Sequence, residues 1–97
     1  MTVVVLNRFK GTQDYRAAGV EGAAILKRHG ATTVRAGRIY SGEHTGQLVV
    51  AGTYPDMAAL GKSAQGLAAD PAWIKFFAEF SKGYELQERS ITIVEDF

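Results

Sequence analysis

Hydrophobic residues follow two different spacings along this chain of 97 residues, and the order of the two spacings predicts an α+β fold. Four stretches are rich in β-branched and aromatic residues and end at turn-forming residues, which is typical of strands. They are residues 2–9, 31–41, 47–54 and 90–95, the last with an alternative start at Leu86. Elsewhere apolar and small residues recur every three or four positions, which is typical of amphipathic helices. These stretches are residues 13–29, 57–68 and 71–80.

Turn and cap residues separate the predicted elements. Gly30 follows the first helix at the C′ position, and residues 42–46 form a short connection that suits a hairpin. Asp56 and Asp70 are predicted N-caps, and Pro71 fits the first turn of a helix. The order is therefore strand, helix, strand, strand, helix, strand, with the second helix split in two. This predicts a ferredoxin-like βαββαβ fold with a four-stranded antiparallel sheet.

The predicted strands are apolar on both faces of the sheet. A sheet with one face in water alternates apolar and polar residues, whereas residues 3–6, 48–51 and 91–94 are nearly continuous apolar runs. The helices of one chain can cover only one face. We therefore expect residues 1–97 to form a single domain that works as a homodimer, sheet packed against sheet. The alternative is a monomer in which strand propensity alone favours Val and Ile.

Composition and charge limit the kinds of function that the chain can have. The chain is 46% hydrophobic and 22% charged, as in ordinary globular proteins, and its net charge is +1. That balance disfavours nucleic acid and anionic membranes as partners. The absence of Cys excludes disulfides, thiolate nucleophiles and Cys-ligated metals, and the two His and scattered carboxylates form no metal-ligand pattern. No signal peptide or spanning segment is recognisable, which predicts a cytoplasmic protein.

The order of elements, the doubly apolar strands and the aromatic helix started by Pro71 resemble the dimeric α/β-barrel superfamily. Its members include antibiotic-biosynthesis-type monooxygenases, haem-degrading monooxygenases, stress-responsive barrel proteins and a plant polyketide cyclase. The resemblance implies a pocket between the sheet and its helices. It also implies that alternate residues of two strands line that pocket. These are Val3, Val5, Asn7 and Phe9 on the first strand, and Leu48, Val50, Gly52 and Tyr54 on the third.

Asn7 is the one polar group on this apolar wall. The resemblance implies a catalytic role for it, because similar members place an asparagine on the first strand, where its amide hydrogen-bonds a substrate carbonyl or a bound oxygen species. The competing interpretation is an Asn near a strand end that is satisfied by backbone or water.

Two departures from the superfamily limit what the resemblance implies. A haem-degrading member needs an iron-ligating histidine on its second helix, whereas His29 and His44 lie at a helix end and in a hairpin, so no haem is expected. The plant cyclase reads His-Pro-Ala-His where this chain has residues 70–73, Asp-Pro-Ala-Trp. Trp73 and Leu67 occupy the positions of its catalytic histidine and partner tyrosine, so that acid–base mechanism does not transfer.

Other side chains are candidates for binding a ligand. Trp73 and Phe77 could bracket a planar aromatic molecule, although an aromatic stripe is also ordinary core. Tyr15, Tyr40 and Tyr54 could orient a substrate through their hydroxyls, or simply pack their rings and leave the hydroxyls in water.

Basic and small residues leave further alternatives open. His29 could act as a general base, or it could complement a helix dipole. Arg35 and Arg38 have opposite parity on their strand, so one of them should point inward or toward a partner subunit. Several glycines either let helix and sheet approach closely or leave room for a ligand.

The preferred hypothesis is a small, cofactor-independent, monooxygenase-like enzyme that acts on a hydrophobic aromatic or polyketide-like molecule. The binding residues would be Val5, Tyr15, Tyr40, Val50, Tyr54, Trp73 and Phe77, with Asn7 as the catalytic donor. The alternatives are a non-enzymatic ligand-binding or stress-associated barrel, a cyclase-like member, and a structural dimer with a filled core. A space of roughly 300 Å3 or more beside Asn7 would speak against the filled core.

Overall fold

Seven elements follow one another in the predicted order in a computed structural model, which describes residues 1–97. They are β1 (Thr2–Lys10), α1 (Arg16–Arg28), β2 (Thr33–Arg38), β3 (Leu48–Tyr54), α2 (Met57–Ala68), α3 (Pro71–Phe80) and β4 (Glu85–Val94). The four strands pair antiparallel in the order β2-β3-β1-β4. The predicted ferredoxin-like α+β fold with a split second helix is confirmed. None of the three helices combines the length and hydropathy that crossing a bilayer requires.

The predicted caps form as expected. Asp56 Oδ1 accepts a hydrogen bond from the backbone N–H of Ala59 at 2.7 Å, and Asp70 Oδ1 accepts one from Ala72 at 2.9 Å. Gly30 has φ 104°, a left-handed conformation that the missing Cβ makes easy. The helix boundaries of α2 and α3 are therefore set by local side-chain chemistry that can be read in the sequence.

The predicted second strand was too long. Its ladder ends at Ile39, whose N–H donates to the Gln47 carbonyl at 2.9 Å. The chain then turns, with Gly42 at φ 127° and Gly46 at φ 88°. Tyr40 lies past the last paired residue and is 96% exposed, because no neighbouring strand holds it in the sheet.

The sheet has one face covered by the helices and one that no helix covers. On the covered face, Asn7 pairs with Val50 of β3 on one side and with Arg89 of β4 on the other. Residues directly opposite each other across antiparallel strands share a face, so these three side chains are neighbours. The face without helices, called the open face below, has an apolar centre formed by Val4, Leu6, Val49 and Ala51.

The hydrophobic core is divided between the two ends of the covered face. One cluster contains Val3, Ala31 and Tyr54. The other contains Phe9, Leu48 and Tyr84. Only nine of the 97 residues are buried, and the middle of the covered face, at Val5, Asn7 and Val50, belongs to neither group of buried residues. The division of the core leaves a space between its two halves.

Candidate functional site

That space is an open cleft of about 1080 Å3 between the covered face of the sheet and the three helices. Of the 30 residues that line it, 22 are hydrophobic. Ligand sites in proteins are concave, mostly apolar and on the order of 300–1,000 Å3, so the cleft is large enough for a small organic molecule. The size and composition of the cleft speak against the filled core.

The structure brings most of the proposed site residues to this cleft. Seven of them line it: Val5, Asn7, Tyr15, Val50, Tyr54, Trp73 and Phe77. Tyr40 does not, because it lies on the exposed hairpin after β2. The prediction that Tyr40 contributes to the site is therefore wrong, because the chain leaves the sheet and turns before it reaches Tyr40.

Small residues on the helices keep the cleft open. Ala18, Gly19, Gly22 and Ala23 of α1 all border it, and none of them can reach across to the sheet. Gly22 also serves packing, since a Cβ built there would lie 2.7 Å from Cζ of Phe76. Gly19 therefore leaves open space beside the cleft, whereas Gly22 allows α1 and α3 to approach each other closely.

Helix α3 supplies an aromatic wall. The Trp73 and Phe76 rings stack with centroids 5.5 Å apart, and Phe76 stacks on Phe80 at 5.8 Å. Phe77 lies 5.7 Å from Trp73 at a tilt of 39°. These spacings are typical of favourable aromatic pairs, and they hold the rings in fixed orientations along one side of the cleft. A planar ligand would meet a preformed surface there.

Asn7 and Arg89 form a polar pair at the edge of the apolar cleft, where β4 and the Arg89 side chain are exposed to solvent. Arg89 Nε donates to Asn7 Oδ1 at 2.6 Å. A guanidinium can only donate, so this bond fixes the amide with its oxygen toward Arg89 and leaves Asn7 Nδ2 as a donor without a protein acceptor. The terminal nitrogens of Arg89 likewise have no protein partner. The pair therefore presents several N–H donors and no acceptor to the cleft.

A second polar contact lies farther along the same face. The hydroxyl oxygens of Tyr54 and Ser63 are 3.2 Å apart, and the two residues are 4% and 1% exposed. Tyr54 is four residues from Val50 on β3, which places it roughly 13 Å from the Asn7 pair at about 3.3 Å per residue. This contact ties α2 to β3 at the far end of the cleft.

His29 lies outside the cleft and is engaged with Asp70. Its Nε2 is 2.7 Å from Asp70 Oδ2, and Arg28 Nη2 donates to the same oxygen at 2.6 Å. These hydrogen bonds, first from His29 and then from Arg28, together with the Ala72 N–H, lower the pKa of Asp70 to about 2. The contact joins the end of α1 to the start of α3, so the helix-end interpretation of His29 fits its surroundings.

The two arginines of β2 differ as their parity suggests. Arg38 Nη2 donates to the Gln13 carbonyl and to the Tyr84 hydroxyl, both at 2.9 Å, so it fastens the end of the sheet to the β1–α1 connection. Arg35 pairs with Ala51 and so lies on the open-face side of the edge strand β2, although this strand also borders the cleft. Arg38 pairs with Leu48 on the covered face, so it is the arginine that points inward, and its role is structural.

Arg89 and Ser63 are two polar cleft residues that sequence reasoning missed. Arg89 precedes the apolar run of β4 and looks like an ordinary surface charge in the sequence. Its place opposite Asn7 follows from the register of β1 and β4, two strands far apart in the chain, and this register cannot be read from one sequence. The only signal in the sequence is that β4 could begin as early as Leu86, which brings Arg89 into the strand.

The fold of the chain is similar to the folds of several solved monooxygenase-like and NIPSNAP proteins. The cofactor-independent oxygenase SnoaB from Streptomyces nogalater is 15% identical, with 99% of this chain and 95% of that chain covered at a TM-score of 0.74. A NIPSNAP domain protein from Burkholderia xenovorans is 22% identical, with 98% and 96% covered at 0.75. A Chloroflexus aurantiacus protein assigned to the antibiotic biosynthesis monooxygenases is 13% identical, with 100% and 96% covered at 0.60.

The particular family follows from the sequence. Residues 12–94 match the family described as a domain of unknown function (DUF6854), and the chain belongs to that family. No curated protein sequence matches the chain.

Proposed function

We propose that this protein is a small oxygenase that works without a cofactor on a hydrophobic aromatic or polyketide-like molecule bound in the cleft. The observation that carries the proposal is the Asn7–Arg89 pair, which presents N–H donors at the edge of a mostly apolar, aromatic-walled cleft. The likeness of the fold to SnoaB, a cofactor-independent oxygenase, supports the same chemistry. Trp73 and Phe77 would hold the ring system, with Val5 and Val50 below it and Tyr15 and Tyr54 at its edges.

The reaction needs positioning and charge stabilisation more than acid–base groups. An electron-rich phenol or anthrone loses a proton from carbon or oxygen to solvent, and its carbanion passes one electron to O2. The resulting radical pair combines into a peroxide, which loses water to leave a new carbonyl group. One oxygen atom enters the product and the other leaves as water, so no external reductant is required.

The donors of the cleft match the charge that develops in this sequence. The substrate oxygen becomes an oxyanion as the proton leaves, and Asn7 Nδ2 would donate to it. Arg89 holds the amide in the orientation that makes this possible. No Asp, Glu or His lines the cleft. A cyclase-like mechanism that relies on a protein acid–base pair is therefore less well supported than one in which the substrate ionises itself.

Oxygen uptake with a panel of anthrones and naphthols tests the proposal. Wild-type protein should consume oxygen, and Asn7→Ala should lower kcat by about 10²–10³, the usual effect of removing one oxyanion donor. Gln65→Ala is the matched control, because it removes an amide from the exposed side of α2, away from the cleft. Equal rates for Asn7→Ala and wild type would remove Asn7 from the mechanism. Binding of the panel without oxygen uptake would favour the alternative, a non-enzymatic ligand-binding barrel.

We further propose that two copies pair through their open faces. Val4, Leu6, Val49 and Ala51 form the apolar centre of this face, and Arg8 and Glu88 lie at its margin. An apolar patch surrounded by polar residues is the usual anatomy of a protein interface. The cleft lies on the other face, so each copy would keep its own cleft.

A further inference from the structure

The charged residues that border the cleft all have the same sign. The whole chain carries 11 basic and 10 acidic residues, so chance alone would give the cleft some of each. Its lining includes Arg16, Lys27 and Arg89, with Arg35 on the open-face side of the bordering edge strand, and no Asp or Glu. The cleft is therefore bordered by basic residues without acidic ones, although the net charge of the chain is only +1.

Three of these four cations have no carboxylate partner. Arg16 pairs with Asp14 at 3.3 Å on the exposed start of α1. Lys27, Arg35 and Arg89 form no ion pair, and Arg89 is bound only to the neutral amide of Asn7. The Arg89 guanidinium is exposed at the edge of the cleft, and its preferred partner is an oxyanion, which can accept two of its N–H groups at once.

We propose that the natural ligand of the cleft is an amphipathic anion, with an apolar, ring-containing body and one carboxylate-like head group bound by Arg89. This inference rests on the proposed use of the same cleft and narrows its ligand class. The body would lie against Trp73 and Phe77, and the head group would accept hydrogen bonds from the terminal nitrogens of Arg89. Asn7 Nδ2 is a further donor beside them.

The other cations surround the mouth of the cleft and would attract the same kind of molecule. Arg16 and Lys27 lie near opposite ends of α1, about 16 Å apart at 1.5 Å per residue. A rim of one sign around a low-dielectric cleft raises the local concentration of oppositely charged ligands, an effect that salt weakens. We therefore expect the association rate of an anionic ligand to fall as salt is added.

Two fluorescent probes with nearly the same body and different charge test the proposal. 8-Anilinonaphthalene-1-sulfonate is an amphipathic anion, and N-phenyl-1-naphthylamine has the same ring system without the sulfonate. The wild-type protein should bind the anion at least about tenfold more tightly. Arg89→Met should remove most of this preference and leave binding of the neutral probe within about twofold. In competition, 2-naphthoate should displace the anionic probe at concentrations at which neutral 2-naphthol does not.

Two control variants locate the effect. Arg8→Met removes a cation from the open face, where Arg8 binds Gln47 at 2.5 Å, and should leave the preference unchanged. Ala36→Trp places a large side chain on the cleft lining and should weaken both probes. Equal affinity of the wild type for the two probes would overturn the proposal, as would an Arg89→Met variant that keeps the preference. Because the readout is equilibrium binding, absence of oxygen uptake would refute the proposed reaction without affecting this result.

Discussion

Asp70 shows how much one side chain can organise in a chain of this size. Its Oδ1 caps α3 by accepting from Ala72, and its Oδ2 accepts from both His29 and Arg28. Gly66 makes room for this arrangement, because a Cβ there would lie 2.5 Å from His29 Nδ1. The start of α3 is thereby held against the end of α1, three residues before Trp73 enters the cleft wall.

The contacts of Asp70 predict an acid-sensitive link between these helices. His29 and Arg28 lower its pKa from 3.8 to about 2, so the folded state favours the ionised carboxylate. The resulting stabilisation is fully present above pH 4 and is lost as the pH falls from about 4 to about 2. Carbon-13 NMR of the Asp70 carboxyl should show a midpoint near 2 in the wild type and a higher midpoint in His29→Ala. A wild-type midpoint near 3.8 would contradict the assigned contacts.

Residues of the site differ in how far a sequence can place them. Asn7 and Val50 could be assigned to the cleft because side chains alternate strictly between the two faces of a strand. Once one residue of a strand is assigned to a face, every second residue of that strand follows. Arg89 could not be assigned in this way, because its position depends on the register between two strands that lie far apart in the sequence. Tyr40 was misplaced because its β-branched and aromatic neighbours favour a strand, while the turn that begins there takes it out of the sheet.

Elements are predicted best where their ends have a local chemical cause. The starts of α2 and α3 follow from Asp56 and Asp70, whose side chains replace missing backbone hydrogen bonds. The start of α1 was placed three residues early, at residue 13 instead of Arg16, and its N-cap residue Tyr15 makes no side-chain cap bond. Without such a cap, periodicity alone does not show where a helix begins.

Two glycines of α1 give a matched prediction at this scale. Gly19→Ala meets no atom within 4 Å, so it should stabilise the protein by about 1 kcal/mol through helix propensity alone. Gly22→Ala gains the same propensity but places a Cβ 2.7 Å from Phe76, and such overpacking costs about 1–3 kcal/mol. Denaturant midpoints should therefore rank Gly19→Ala above wild type and Gly22→Ala at or below it. Equal stabilisation by both variants would mean that Phe76 can move aside freely.

At the scale of the whole molecule, the sequence predicts the order of the layers and not the space between them. The fold class follows from periodicity, which needs no knowledge of distances. The cleft depends on how the helices stand relative to one another and to the sheet, and this arrangement results from many contacts, among them Gly22 of α1 with Phe76 of α3 and Tyr54 of β3 with Ser63 of α2. This is why the glycines alone could not distinguish close packing from a ligand space.

The open face carries the last prediction, because a single chain leaves its apolar centre without a cover. Wild-type protein at micromolar concentration should scatter light as a particle of about 21 kDa, twice the 10.5 kDa of the chain. Leu6→Asp places a charge in the middle of that face and should yield a monomer, since an unpaired buried charge opposes association. Ile74→Asp is the control, because Ile74 is an exposed apolar residue of α3, 56% exposed, and its loss should leave the dimer intact. A 10.5 kDa wild-type particle would refute pairing through the open face, while a dimer that survives Leu6→Asp would place the interface elsewhere.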